Sequence, residues 1–190
     1  MKNIIIIAAV ILVSGILLIR PYNKLVTKDE GVKNAWAKVQ TQYQRRADLF
    51  LNQMEVVKGA AKNEKEILEG VTKARAGITE AQEKMKTAST PQELDNYMND
   101  ARQAAMNFKI QVEAYPTVRS TEAFLNFQAE IAGTENRVSV VRNDYNDVVQ
   151  DFNTTVRKFP TNIFASIFGM SVKPLFEAES SSQKAPKISF

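Results

Sequence analysis

Charged residues recur at heptad spacing along two apolar segments of the sequence, and they are the best-placed candidates for chemistry. Arg45 and Arg46 flank the apolar positions of one segment, while Glu135 and Arg142 lie seven residues apart beside those of another. Charges beside a helical seam pair across helices and set the packing register. We therefore predict that Arg45 or Arg46 pairs with an acid of the later segment. The candidate acids are Glu135 and Asp144.

The sequence offers few side chains for catalysis, because it contains no histidine and no cysteine. The missing histidine removes the usual general base, the Ser-His-Asp triad and the Glu-x-x-His pairs of di-iron bundles. The missing cysteine removes thiol catalysis and disulfides. We assign no catalytic, cofactor-binding or metal-binding residue. We expect a non-enzymatic protein without a cofactor or a small-molecule substrate.

Asparagine and aromatic residues also fall beside the seams. Asn146 and Asn153 share the flank of Arg142, and the sequence assigns them no function. Tyr43 and Tyr145 lie on seams and are expected to be core aromatics. Trp36 has a heptad position that favours core packing, with an interfacial membrane contact as the alternative.

The charge balance excludes one class of partner. The chain carries 25 basic and 21 acidic residues, a net charge of +4, in 190 residues. The excess is small and spread along the chain, whereas nucleic-acid binding needs a clustered basic face. We therefore expect no nucleic-acid partner.

An apolar run at the start of the sequence predicts a membrane anchor. Residues 4–19 include no charge, with Lys2 before them and Arg20-Pro21 after them. A transmembrane helix takes about 20 residues, with a lower limit near 17, and residues 1–21 reach that length. A cleaved signal peptide is the alternative. Its h-region would be too long, and no clear cleavage site follows.

Flanking charges bear on the side of the membrane. Five basic residues follow the run within about 20 positions: Arg20, Lys24, Lys28, Lys33 and Lys38. The positive-inside rule then favours a cytoplasmic domain on a single-pass anchor. Lys2 before the run also fits the opposite orientation, with a periplasmic or extracellular domain.

The rest of the sequence reads as helices in which apolar residues recur every three or four positions. One such seam is Ile67, Val71, Ala74, Ile78, Ala81, Met85 and Ala88, and the last is Phe124, Phe127, Ile131, Thr134, Val138, Val141, Tyr145, Val148, Phe152, Val156 and Phe159. Residues 62–64 either form a turn between the first two helices or lie inside one long helix. Thr27 and Glu30 have the spacing of a capping box, as do Thr90 and Glu93 around Pro91, and Pro116 and Pro160 end two further segments. We predict an all-α fold. An N-terminal transmembrane helix precedes an antiparallel up-and-down four-helix bundle, whose first two helices are either separate or continuous.

Ordered strings along the chain resemble the LemA family of bacterial membrane proteins. The strings are Tyr22-Asn23-Lys24-Leu25-Val26, Ala35-Trp36-Ala37-Lys38-Val39, Arg45-Arg46-Ala47-Asp48-Leu49, Thr72-Lys73-Ala74-Arg75, Tyr115-Pro116, Gly133-Thr134-Glu135-Asn136-Arg137, Arg142-Asn143-Asp144-Tyr145-Asn146, Phe159-Pro160, Phe176 and Phe190. One departure is the absence of the proline that the family commonly carries after RRADL. The resemblance implies a bundle behind one transmembrane helix, with no catalytic residue carried over.

Three regions follow from these patterns: an anchor over residues 1–21, a LemA-like bundle over 22–178 and a flexible tail over 179–190. A short apolar helix near residues 161–169 is expected to fold back on the bundle; the alternatives are the bilayer interface or a partner. Long bundles present extended faces, so we predict a scaffold or interaction module at the bacterial inner membrane with an unidentified protein partner. The alternative is a lipid-surface or membrane-remodelling protein that uses the basic juxtamembrane region and this apolar segment.

Overall fold

A computed structural model describes the backbone of residues 2–60, 65–116 and 122–177, and the side chains of 19–59, 65–112, 114–116 and 133–177. Within these residues every regular element is a helix, so the all-α prediction is confirmed. The five helices are α1 (Lys2–Ala60), α2 (Lys65–Thr87), α3 (Pro91–Glu113), α4 (Glu122–Arg157) and α5 (Thr161–Ile167).

Helix α1 runs without a break through Pro21, the residue predicted to close the anchor. The predicted start at Thr27 is therefore wrong. Its hydroxyl donates to the carbonyl of Asn23 at 2.9 Å, the bond of a residue inside a helix. A cap needs free N–H groups, and the preceding turns already occupy them. Glu30 instead accepts from Lys33 at 2.7 Å.

Helices α1 and α2 are two antiparallel elements, so the possibility of one continuous helix is wrong. Gln82 donates to Asp48 at 2.7 Å, Arg75 pairs with Glu55, and the partners of α2 move back along α1 as the chain advances. The turn suggested at residues 62–64 lies outside the described residues.

Helix α3 begins at the capping box predicted around Pro91. The Thr90 side chain accepts from the N–H of Glu93 at 3.2 Å, and the Glu93 carboxylate accepts from the N–H of Ser89 at 2.8 Å. Helix α3 packs antiparallel on α2, where Gln111 donates to the carbonyl of Glu66 at 2.9 Å. Gly70 leaves room for this contact, because a Cβ there would lie 2.0 Å from Oε1 of Gln111.

The predicted seams form the core of the bundle. The seam positions Ile67, Val71, Ala74, Ile78, Ala81 and Met85 of α2 and Ala88 just after it are all buried, as are most seam positions of α1 and α3. On the predicted α4 seam Thr134, Val138, Tyr145, Phe152 and Val156 are buried, whereas Val141 and Val148 are half-buried. Val149, which was not placed on that seam, is fully buried beside it. Helix α4 runs antiparallel to α1, and Lys28 pairs with Asp151. Phe159 was placed on the α4 seam, but α4 ends at Arg157 and the Phe159 side chain is 79% exposed.

The short helix α5 folds back against α1 and α4, as expected, but turns one apolar face to the outside. Ala165 is buried and Phe164 packs on the core, whereas Ile163, Ile167 and Phe168 are exposed. Gly169 ends the helix at φ +68°. The N–H of Met170 then donates to the carbonyl of Ala165 at 2.8 Å, which completes a Schellman turn. This turn directs the chain into an extended segment.

Two regional predictions fall largely outside the described part of the chain. The side chains of residues 1–18 are among those left undescribed, and so are residues 178–190, where a flexible tail was predicted. In the part that is described, no helix combines the length and apolar character needed to cross a membrane.

Candidate functional site

Residues 171–177, here called the docked segment, lie extended in a groove between α1 and α4. Asn153 donates to the carbonyl of Lys173 and accepts from its N–H, both at 2.8 Å. Asn146 does the same for Phe176, donating at 3.0 Å and accepting at 2.8 Å. Each asparagine amide thus matches both main-chain groups of one residue, as a neighbouring strand would.

We call these paired hydrogen bonds, of Asn153 with Lys173 and of Asn146 with Phe176, the two asparagine clamps. Their spacing follows from the geometry of the helix and of the extended segment. Asn146 and Asn153 are seven residues apart on α4, a rise of about 10.5 Å. Lys173 and Phe176 are three residues apart in an extended chain, a rise of about 10 Å. Two asparagines one heptad apart can therefore hold an extended segment in a fixed register, running antiparallel to α4.

Further donors hold the segment between and beyond the clamps. The Tyr145 hydroxyl donates to the carbonyl of Pro174 at 3.2 Å, and Arg142 donates to the carbonyl of Glu177 at 3.0 Å. Four side chains of α4 therefore bind main-chain groups of the segment. None of these contacts depends on the identity of the segment's side chains.

Side-chain recognition is concentrated on Phe176, which is 6% exposed. Its ring centroid lies 5.3 Å from that of Tyr145, 6.1 Å from Trp36 and 6.3 Å from Tyr43. The Arg142 guanidinium carbon lies 4.8 Å from the ring centroid. Three aromatic walls and a cation over the ring face form a pocket suited to an aromatic side chain.

A hydrogen-bonded network fixes the position of Arg142. The Tyr43 hydroxyl donates to Asp95 at 2.5 Å, and Arg142 donates to the other oxygen of that carboxylate at 3.0 Å. Burial, followed by the neighbouring Asp95, raises the pKa of Tyr43, so the phenol remains a neutral donor. The network joins α1, α3 and α4 behind the Phe176 pocket.

Lys173 is the second side chain of the segment that the groove contacts. Its ammonium pairs with Asp29 at 2.6 Å and lies 5.3 Å from the Phe152 ring centroid. Burial alone would raise the pKa of Asp29, but hydrogen bonds and charge from Lys173 and Lys33 outweigh it and lower that pKa. The groove thus has a cation site and an aromatic site three residues apart.

A separate polar cluster confirms the predicted pairing across helices. Arg46 is 3% exposed and pairs with Glu135, whereas Arg45 is exposed. Arg102 of α3 reaches the same Glu135 oxygen at 3.3 Å. Burial and then the charge of Arg102 lower the pKa of Arg46. Glu135 holds two cations together, and the cluster locks the register of three helices.

The remaining candidates are placed as follows. Asp144 is exposed and lies outside both polar clusters, and Trp36 packs against the core, as its heptad position predicted. The roles of Asp29 and Asp95 were not predicted from the sequence. Asn146 and Asn153 were assigned no function, although their heptad spacing was the available signal. In the described ranges, no three acidic residues lie close enough together to hold a metal ion.

Chemically, this arrangement binds a polypeptide chain. It offers main-chain hydrogen bonds in a set register, an acid for a cation and an aromatic pocket. Known recognition of extended peptides combines main-chain bonding for affinity with pockets for specificity.

Comparison with known proteins places the chain in a family. The family model "LemA family" matches residues 35–190. Protein LemA of Metamycoplasma hominis is 26% identical over 82% of this chain and 68% of its own length. Magnetosome proteins MamQ 2 and MamQ 1 of Paramagnetospirillum magneticum are each 25% identical over 84% of this chain and 66% of their own length. This chain therefore spans about two thirds of these relatives.

Several residues that carried the family resemblance line the groove, namely Trp36, Arg142, Tyr145, Asn146 and Phe176. The ordered strings thus coincide with the contacts that hold the docked segment. With a family model that extends over most of its length, this chain belongs to the LemA family.

Proposed function

We propose that this protein is a non-catalytic interaction module of the bacterial membrane whose groove between α1 and α4 binds extended peptide segments. The observation that carries the proposal is the pair of asparagine clamps on Lys173 and Phe176. They bind main-chain groups that every non-proline residue offers. The partner class that suits the groove is an extended segment with a lysine and, three residues later, a phenylalanine.

Tethering to the membrane is the second part of the proposal. Residues 4–19 contain no charge, and α1 is unbroken from Lys2 to Ala60. An anchor formed by residues 1–21 would therefore continue directly into the first helix of an up-and-down bundle made by α1 to α4. Proteins of the LemA family are generally membrane-associated, which supports this arrangement.

The anchor is tested by extraction and by topology. We expect the full chain to stay with membranes at alkaline pH, and a chain without residues 1–21 to be released. A reporter fused after Phe190 should be active on the cytoplasmic side, because basic residues follow the apolar run. A reporter active only outside the cell would reverse the orientation and leave the groove proposal unaffected.

Peptide binding in trans tests the interaction module. The receptor is the full chain with Phe176→Ala and Phe190→Ala, so that neither Lys-x-x-Phe sequence of its own C-terminal region, 173–176 or 187–190, fills the pocket. A labelled peptide with the sequence of residues 170–177 should bind it and raise the fluorescence anisotropy. The same peptide with alanine in place of phenylalanine is the matched control and should not bind.

A receptor that also carries Asn146→Ala and Asn153→Ala separates specific binding from adhesion. It keeps the aromatic pocket but lacks both clamps, so we expect at least tenfold weaker binding, since each lost hydrogen bond costs about 1 kcal/mol. Equal binding to both receptors would contradict the proposed mode. No binding to the first receptor would contradict the function.

A second candidate function, lipid-surface contact, is favoured by the exposed apolar side chains of α5 and of the residues beside it. Phe159, Ile163, Ile167 and Phe168 are 79%, 49%, 69% and 48% exposed. The ring centroids of Phe168 and Tyr22 are 4.6 Å apart, so the C-terminal end of α5 lies beside α1, two residues after Arg20. If residues 1–21 span the bilayer, this face meets its interface, where apolar and basic side chains both bind.

Ile167→Asp tests lipid contact without disturbing the core, because the side chain is exposed. Starting from the chain without residues 1–21, flotation with anionic vesicles should fall while helicity and Tm stay unchanged. A parent domain that does not float would remove the lipid-surface function. Unfolding of the Ile167→Asp variant would instead assign the segment to the core.

A further inference from the structure

The docked segment has a counterpart elsewhere in the sequence. Lys173-Pro174-Leu175-Phe176 occupies the groove, and residues 187–190 read Lys-Ile-Ser-Phe, with the same spacing between lysine and phenylalanine. Residues 187–190 lie outside the described part of the chain. The groove itself shows which features of a segment it contacts, so the fit of this second sequence can be judged position by position.

The groove contacts two side chains and leaves those between them outside. Leu175 is 43% exposed and Pro174 is exposed, whereas Phe176 is buried and Lys173 reaches Asp29. In the same register Ile188 and Ser189 would take the outer positions. Lys187 would face Asp29, and Phe190 would enter the aromatic pocket.

Main-chain binding is compatible as well. The clamps of Asn153 and Asn146 need an N–H and a carbonyl on the first and fourth residues of the segment. Lys187 and Phe190 offer both groups, because neither is proline. The Tyr145 hydroxyl needs only the carbonyl of the second residue, here Ile188.

We propose that residues 187–190 are a second ligand of this groove and exchange with residues 173–176 of the same chain. The inference rests on the groove being an exchangeable peptide site, as proposed above. The occupant is residues 187–190 of the same chain rather than of a second copy, since a short tether gives an effective concentration in the millimolar range.

Loop length decides which segment occupies the groove at rest. From Gly169 the chain reaches Lys173 in 4 residues but Lys187 in 18. The probability that a flexible loop closes falls as the three-halves power of its length. If the two segments bind equally, the second register is therefore about tenfold less populated. Removing Phe176 weakens the first register at least a hundredfold, because an aromatic side chain leaves its pocket. The second register should then dominate.

Engineered cysteine pairs test the exchange, because the native chain has no cysteine. Gln150 and Leu175 line one surface pocket, so a Gln150→Cys, Leu175→Cys pair reports the first register. Ser189 takes the place of Leu175 in the second register, and a Gln150→Cys, Ser189→Cys pair reports it. Crosslinking uses a short bis-maleimide on the full chain at low protein concentration.

The expected result is a shift of crosslinking between the two pairs. In the otherwise native chain the Leu175→Cys pair should crosslink well and the Ser189→Cys pair about tenfold less. Adding Phe176→Ala should reverse this order, and adding Phe190→Ala as well should abolish the Ser189→Cys product. A Gln150→Cys, Ser182→Cys pair is the matched control and should not respond to Phe190→Ala.

Two outcomes would overturn the inference. One is a Ser189→Cys yield that does not depend on Phe190, and the other is a product that is a covalent dimer, which would assign the segment to a second copy. Helicity measured for each variant excludes unfolding as the cause. The peptide experiment keeps the two proposals apart: a peptide that binds in trans without Phe190-dependent crosslinking ends this inference alone.

Discussion

The side-chain amide of Asn146 and the main chain of Phe176 exchange two hydrogen bonds, at 3.0 and 2.8 Å. A helix side chain here takes the place of a neighbouring strand. An isolated extended segment leaves its main-chain groups to water, but this one obtains partners from an α-helix. The segment can therefore dock in a fixed register on an all-α surface.

Loss of a clamp should loosen the docked segment without unfolding the bundle. Asn146→Ala removes both bonds to Phe176, worth about 1 to 3 kcal/mol together. Amide hydrogen exchange at Phe176 should speed up roughly 5- to 150-fold. Asn143→Ala is the matched control, since Asn143 is exposed on the same helix. Unchanged exchange at Phe176 in the Asn146→Ala variant would contradict the clamp.

The aromatic pocket should contribute more than any exposed position of the segment. Phe176→Ala empties the pocket, and we expect docking to weaken by about 3 to 5 kcal/mol. Leu175→Ala changes a neighbouring, half-exposed side chain and should stay within about 0.5 kcal/mol. Trp36, the one tryptophan of the chain, lies 6.1 Å from Phe176, so its fluorescence reports docking. Similar spectra for both variants would argue against the pocket.

Acid should release the lysine end of the segment. The pKa of Asp29 in the folded protein lies below its ordinary value of 3.8, so the ionised pair with Lys173 stabilises docking above that value. This contribution disappears as the pH falls through the folded pKa. A Trp36 fluorescence titration from about pH 6 to about pH 2 should show the step. Asp29→Asn should abolish the step, and a step that persists would assign it to another group.

Gly169 and Gly133 should respond to alanine in opposite directions. Gly169 has φ +68°, where a Cβ costs about 1 to 2 kcal/mol, so Gly169→Ala should destabilise the turn into the docked segment. Gly133 lies within α4 with open space around it, so Gly133→Ala should stabilise by about 0.5 to 1 kcal/mol. Chemical denaturation measures both changes in the free energy of unfolding. Two changes in the same direction would contradict this explanation.

Neutralising the acidic partner of the buried Arg46 should destabilise the fold more than neutralising the acidic partner of an exposed arginine. Glu135→Gln removes the charge shared by Arg46 and Arg102 and should cost about 2 kcal/mol. Glu55→Gln is the control, because its partner Arg75 is 53% exposed and such pairs contribute about 0 to 1 kcal/mol. Chemical denaturation of the two variants in parallel measures both losses of unfolding free energy. Equal losses would mean that the burial of Arg46 does not strengthen its pair with Glu135.

Most of the core and one polar pair followed from the sequence, because helical periodicity and charge beside a seam are local patterns. The positions from Ile67 to Ala88 and the pair of Arg46 with Glu135 are examples. The error at Thr27 arose because a capping box and an internal helical turn can share the same residues. The upstream course of the backbone, not the local sequence, decides between them.

The groove could not be predicted from the same patterns. The clamps join residues 20 and 30 positions apart, and the acid that holds Arg142 comes from a third helix. A polar residue on a helix flank carries no local signal of a partner that is extended and lies far away in the sequence. The matching rise of seven helical and three extended residues is visible only when both elements are known.

The pairing of α1 with α4 also has a consequence for synthesis of the chain. Lys28 meets Asp151, 123 residues later, whereas α2 and α3 are close in the sequence and can pair early. At about 5 to 20 residues per second, the first helix waits roughly 6 to 25 seconds for its partner to leave the ribosome. During that interval the apolar face around Val39 and Tyr43 has no α4 to cover it, so this face of α1 stays exposed until α4 has been synthesised.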